Sequence, residues 1–144
     1  MKVVRDLLAE KGNEVWGVTP ETSVLDALKM MAERRVGALL VLERGKLAGL
    51  FSERDYARKV VLMGKASRNT PVKDIMSTDI VCVAPDQSTD ECMNLMTENR
   101  IRHLPVMNDG ELEGVISIGD VVKAVIEEKE NVIEQLEHYI TGSF

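Results

Sequence analysis

Gly49-Leu50-Phe51-Ser52-Glu53-Arg54-Asp55 returns sixty-five residues later as Gly114-Val115-Ile116-Ser117-Ile118-Gly119-Asp120, with Gly, Ser and Asp in the same register. Each copy reads as a short apolar strand that stops at a serine and turns into a helix, because an amphipathic run follows, over 56–63 in one case and 121–140 in the other. A Ser three residues ahead of an acid satisfies free N–H groups at a helix start and places a carboxylate at the positive end of the dipole. That end is also suited to anions. The expectation from these residues is a nucleotide held at the paired Ser-x-x-Asp turns, with the helix start toward phosphate and the carboxylate accepting hydrogen bonds from a ribose diol. The plain alternative is that each turn only caps its helix.

Working outward, residues 83–126 align without a gap onto 18–61, with fourteen identities in forty-four positions, among them Pro20/Pro85, Ser23/Ser88, Arg35/Arg100, Gly45/Gly110, Gly49/Gly114, Ser52/Ser117 and Asp55/Asp120. A duplication explains this pattern. Each copy reads as strand, helix, strand, strand, helix. A strand at 15–18 closes at Thr19-Pro20, and a helix opens at Ser23 with Val24, Leu25, Leu28, Met31 and Ala32 at helical spacing. Branched, continuous apolar residues at 38–42 make a buried strand, and a Gly-containing turn at 43–46 leads to a return strand at 47–51. The polar, turn-prone stretch 64–71 is the expected linker. The expected division is a first repeat over 1–63 with its N-terminal segment, the linker, a second repeat over 72–127 and a C-terminal helical extension over 128–144. The fold class is therefore α+β in α/β layers: two pseudo-twofold-related β-α-β-β-α repeats, each too small to bury a core alone.

Composition narrows the function. In 144 residues, 44% are hydrophobic but only 3% aromatic, so aliphatic and Met side chains must fill the interior; Met30, Met31, Met93 and Met96 lie at helical spacing and read as core. A net charge of −6 argues against a nucleic-acid partner. Cys82 and Cys92 show no zinc or redox spacing and read as buried thiols. No apolar run is long enough for a membrane span, the N-terminus lacks a signal-peptide core, and a cytoplasmic location is expected. His103 has no second ligand at metal-binding spacing, and neither a catalytic triad nor a Gly-x-x-x-x-Gly-Lys phosphate loop is present, so no metal and no enzyme activity are expected. Trp16 reads either as a base-stacking residue or as a plug between the repeats. The apolar stripe through Val121, Val122, Val125, Ile126, Val132, Ile133, Leu136 and Ile140 reads as a helix that lies across its own domain or packs on another subunit.

The duplicated β-α-β-β-α unit, the Thr-Pro or Ala-Pro after the first strand, the run Arg100-Ile101-Arg102-His103-Leu104-Pro105-Val106 and the Gly-h-h-Ser-x-x-Asp turns resemble a tandem pair of cystathionine β-synthase (CBS) domains. The resemblance covers nearly the whole chain and implies a regulatory module, usually dimeric, acting on a partner protein. It implies clefts between the repeats that take AMP, ADP, ATP, NAD or S-adenosylmethionine. By resemblance, Asp55 and Asp120 take the ribose hydroxyls, and Ser52 and Ser117 with their helix starts approach phosphate. Val36, Gly37, Ala38 and Leu39 serve the adenine in one cleft and Arg102, His103, Leu104 and Pro105 in the other, while the loops at Thr19 and at Thr78 to Ile80 close the sites. Arg54 and the Arg102-His103 pair offer charge to phosphates, whereas Ile118 and Gly119 give the second turn an apolar, smaller lining, so the two clefts should not bind equally. The alternative reading is a structural assembly module with empty clefts, built through the C-terminal helix.

Overall fold

Residues 2–142 are described by the computed structural model. Met1, Ser143 and Phe144, which the sequence reading placed in the first repeat and the helical extension, lie outside the described residues. Helix α1 (Val4–Lys11) opens the chain, followed by strand β1 (Gly17–Val18), helix α2 (Val24–Arg34), and strands β2 (Ala38–Glu43) and β3 (Lys46–Ser52). The single helical turn α3 (Glu53–Asp55) runs on as a π-helical segment, Tyr56–Val61, and a 3₁₀ turn spans Val72–Asp74. Helix α4 (Thr89–Asn99), strands β4 (His103–Asn108) and β5 (Glu111–Ser117), and the long helix α5 (Ile118–Thr141) complete it. The sequence repeats and the packed units are different segments. Val15–Ile80 forms one compact unit, and the residues up to Glu14 with those from Val81 onward form the other.

In the Val15–Ile80 unit the sheet order is β1-β2-β3, with β1 parallel to β2 and β2 antiparallel to β3. The hairpin turn needs two consecutive residues with positive φ, which Arg44 (52°) and Gly45 (77°) supply. Helix α2 starts where the Ser23 side chain accepts from the Asp26 amide, and it stops where Arg35 enters the left-handed region. Its buried face, Val24, Ala27 and Met31, packs with Leu39, Val41, Phe51, Val60, Val72 and Ile75. Phe51 is fully buried, and burying such a side chain contributes about 1.5–3 kcal/mol. The segment 64–71 is folded against the start of α2. The Val24 and Leu25 amides donate to the Thr70 and Ser67 carbonyls, and the Thr70 hydroxyl donates to the Ala66 carbonyl at 2.7 Å.

The other unit repeats this plan with α4, β4, β5 and the first half of α5, and adds α1. Its hairpin turns at Asp109 and Gly110, again both at positive φ, and Ser88 caps α4 as Ser23 caps α2. Helix α1, for which the sequence analysis named no element, buries Val4, Leu7 and Leu8 among Cys92, Met96, Leu104, Val106, Ile116 and Val121. The first strand expected in the second repeat is a single bridge, Val83 to Val106. Proline explains the loss. In the first unit the Leu40 amide donates to the Trp16 carbonyl, while the position equivalent to Leu40 is Pro105, which has no N–H to offer Val81. Two bonds at Val83, to Pro105 and from Met107, are what remains.

Candidate functional site

Each unit brings its Ser-x-x-Asp turn beside the first residues of its own middle strand. Ala38 is the register partner of Ser52 and His103 that of Ser117, and the first amide of each following helix donates to that strand's leading carbonyl: Glu53 to Gly37 at 3.1 Å, Ile118 to Arg102 at 2.8 Å. Val36–Leu39 with Ser52–Asp55, and Arg102–Pro105 with Ser117–Asp120, are therefore two equivalent constellations. Leu39 and Leu104 turn their side chains fully into the cores, leaving only main chain to present. Beside the first constellation a shallow cleft of about 460 Å³ is lined by Leu28, Met31, Arg35, Val36, Gly37 and Glu53.

Both turns are complete capping boxes. The Asp55 amide donates to Ser52 Oγ at 3.2 Å and the Ser52 amide to Asp55 Oδ2 at 3.0 Å; the Asp120 amide donates to Ser117 Oγ at 3.2 Å and the Ser117 amide to Asp120 Oδ2 at 2.8 Å. With the Glu53 and Ile118 amides given to the Gly37 and Arg102 carbonyls, two of the first three helix amides are used internally in each copy. At α5 the third belongs to Gly119, where an added Cβ would meet nothing nearer than Ser117 Oγ at 3.6 Å, so a ligand can approach the backbone there. At α3 the same position carries Arg54.

The carboxylates differ in their surroundings. Asp55 is nearly enclosed, its side chain 12% exposed: the Ser52 and Ser77 hydroxyls donate to Oδ2 and Oδ1 at 3.0 and 3.1 Å, and Lys59 Nζ lies 3.5 Å from Oδ1. Asp120 keeps 25% exposure and accepts from Lys11 Nζ at 2.6 Å; the same ammonium also donates to the Val115 carbonyl at 2.9 Å. Burial alone would raise the Asp120 carboxyl, but the hydrogen bond and charge of Lys11, together with the bonds from Ser117, outweigh it and hold the group below its ordinary value. Sequence reasoning missed Lys11, Lys59 and Ser77. Lys59 was readable as an i,i+4 partner of Asp55, whereas Lys11 and Ser77 reach their acids only through the fold.

Of the remaining expected site residues, Thr19 receives a hydrogen bond from the Thr22 amide and shares a hydroxyl contact with Thr22 at 3.0 Å, while Thr78 is exposed and Ile80 half-buried. Arg102 is exposed, His103 half-buried and Pro105 buried. Trp16 lies under the Arg34 guanidinium, 3.7 Å from the ring centroid. Among the described residues no group of three or more His, Cys, Asp or Glu is placed to hold a metal, and no helix is long and apolar enough to cross a membrane.

Comparison with known proteins agrees with this doubled geometry. The family model for the CBS domain matches twice, over residues 4–62 and 72–127. The mitochondrial CBS domain-containing protein CBSX3 of Arabidopsis thaliana is 40% identical over 151 aligned residues, covering 98% of this chain and 73% of that protein. A solved CBS-domain protein of Burkholderia ambifaria MC40-6 superposes with a TM-score of 0.85 at 51% identity, over 88% of this chain and 95% of that one. A CBS domain pair solved in complex with 5′-methylthioadenosine and S-adenosyl-L-methionine shares the fold, with a TM-score of 0.73 at 20% identity over 89% of this chain and 98% of its own. With both repeats matched and their Ser-x-x-Asp turns in equivalent places, the chain belongs to the CBS domain family as a tandem pair.

Proposed function

We propose that this chain is a regulatory module that binds an adenosine-containing nucleotide, with the Ser117–Asp120 turn as its principal site and the Ser52–Asp55 turn as a weaker counterpart. The observation that carries this reading is the duplicated capping box in which Asp120 is the more accessible carboxylate and the neighbouring Gly119 amide has open space before it. A ribose diol has an acceptor in Asp120, and an anion has the α5 start and Lys11 within one small region. The adenosine ligands of the related domain pair support the ligand class. AMP, ADP, ATP, NAD and S-adenosylmethionine all present that chemistry. Signalling then requires that the nucleotide bind one arrangement of the chain more tightly than another, because equal affinity shifts nothing. The output goes to a partner protein or to the oligomeric state, and no residue here is assigned a catalytic role.

A thermal-shift panel of those five nucleotides tests the reading, since a ligand that binds only the folded chain raises its melting temperature by mass action. One or more should stabilise the wild type, and Asp120→Asn should weaken that ligand by more than about tenfold, the loss of roughly one charge-assisted hydrogen bond. No shift with any of the five, or an affinity left unchanged by both Asp120→Asn and Asp55→Asn, refutes the ribose assignment. The exposed stripe of α5 favours a second role, in assembly.

A further inference from the structure

The two units cover their Ser-x-x-Asp turns with the same bonds but different groups. Met76 lies over Gly49 as Leu8 lies over the equivalent Gly114. In the Val15–Ile80 unit Ser77 follows at once: its amide donates to the Leu50 carbonyl at 2.9 Å and its hydroxyl to Asp55 Oδ1 at 3.1 Å. In the other unit the equivalent acceptors are the Val115 carbonyl and the Asp120 carboxylate, and the Lys11 ammonium meets both, at 2.9 and 2.6 Å. Ser77 is fixed, because the Leu50 amide also donates to its carbonyl at 2.9 Å and the two residues form a main-chain bridge. Lys11 is not fixed. It is the last residue of α1 and its ammonium rides on a flexible four-carbon stem, so it can let go while Val4, Leu7 and Leu8 hold the helix in place.

We propose that Lys11 is a removable latch on Asp120 that makes the second turn select adenosine ligands carrying a phosphate over neutral ones; the proposal rests on the reading of that turn as the nucleotide site. Asp120 Oδ2 already accepts from the Ser117 amide at 2.8 Å and from Lys11, which uses both of its lone pairs. A ribose diol that takes the ammonium's place at this oxygen must therefore set Lys11 free. A neutral nucleoside then leaves the charge without its partner, and that loss counts against binding. A nucleotide returns a partner to the same ammonium, since its phosphate is drawn to the positive end of α5 and to Lys11 together. At Asp55 the covering group is the tethered Ser77 hydroxyl, which has no charge to give and no stem on which to follow a ligand.

The test is isothermal titration of the full chain with AMP and with adenosine. The wild type should bind AMP at least about tenfold more tightly than adenosine, the effect of one partly exposed charge-assisted bond. In Lys11→Met the two affinities should move in opposite directions. Adenosine should tighten by about tenfold because Asp120 is released, AMP should weaken, and the preference should vanish. Lys123→Met removes the same charge from an exposed pair between α5 and α1, with Glu10 at 3.3 Å, and should leave both affinities within about twofold of wild type. A lysine that only touched phosphate would weaken AMP in Lys11→Met and leave adenosine unchanged, and that result overturns the latch. So does a Lys123→Met that tightens adenosine as much as Lys11→Met does, because net charge would then be the cause. If neither ligand binds any of the three proteins, the nucleotide reading of this turn fails and the latch falls with it; if AMP binds and its preference survives in Lys11→Met, the latch alone is refuted.

Discussion

Replacing Lys11 by methionine removes one ammonium and retains most of the aliphatic stem, which isolates the tie between α1 and the second Ser-x-x-Asp turn. The ammonium bonds Asp120 Oδ2 at 2.6 Å and the Val115 carbonyl at 2.9 Å, with the two ion-paired side chains 35% and 25% exposed. A sheltered charge-assisted hydrogen bond contributes about 1.5–3 kcal/mol and an exposed ion pair about 0–1 kcal/mol. This pair lies between those limits, and Asp120 keeps its bond from the Ser117 amide, so the expected loss is about 1–2 kcal/mol. For a chain of this size that lowers the melting temperature by about 3–6 °C in scanning calorimetry at neutral pH. The carboxyl of Asp120 is held below its ordinary value of 3.8, so its contribution is present above that value and lost as pH falls through the lower folded-state one. Without Lys11 the folded-state value rises, and the gap between wild type and variant should close as the solution is acidified through that range. A melting temperature within about 1 °C of wild type, or an Asp120 carboxyl that titrates unchanged by NMR, refutes the argument.

Two further outcomes follow from packing. At Gly49 an added Cβ would sit 2.5 Å from Met76 Sδ and 3.1 Å from the Ser77 carbonyl oxygen, whereas at Gly114 its nearest neighbour is a terminal methyl of Leu8 at 2.8 Å. Gly49→Ala should therefore cost about 1–3 kcal/mol in urea unfolding and Gly114→Ala less than about 1 kcal/mol, and equal costs would contradict the packing. Burial first, and Glu91 second, push the Cys92 thiol up to about 11. A disulfide reagent at neutral pH should leave Cys92 untouched until denaturant opens the chain, and rapid labelling of it in the native protein would show the site to be open.

What the sequence made legible is what short stretches decide. Arg44-Gly45 and Asp109-Gly110 mark their hairpins, Ser23 and Ser88 their helix starts, and Ser52 and Ser117 the ends of β3 and β5, because each signal and its hydrogen-bond partner lie within four residues. Helix α1 was not legible as an element, since the apolar face of Val4, Leu7 and Leu8 is satisfied by residues beyond 90. Nor was the π-helical segment after Asp55: the aligned stretch after Asp120 is ordinary α-helix, and nothing in Tyr56–Val61 announces the difference. The two carboxylates were visible as a pair, but their partners were not. Lys11 approaches Asp120 across 109 residues and Ser77 approaches Asp55 across 22, distances at which spacing carries no information. The reduction of the second repeat's first strand was readable in principle, because Pro105 stands where an amide donor was needed.

The interleaving of the two units sets a timetable for synthesis. All of Val15–Ile80 is synthesised between α1 and the partners of α1, so α1 is made before that unit yet finds its place after it. Helix α1 joins Ser88 through Val3 and Asp120 through Lys11, closures that wait for most of the chain and carry the entropy of long loops. Until α4 and β4 arrive, and fully only with β5 and α5, Val4, Leu7 and Leu8 lack the core they enter in the folded unit. A product cut short at Ile80 lacks every core partner of α1, so its apolar face stays uncovered, and a chaperone or protease that reads exposed aliphatic side chains can tell it from the finished protein.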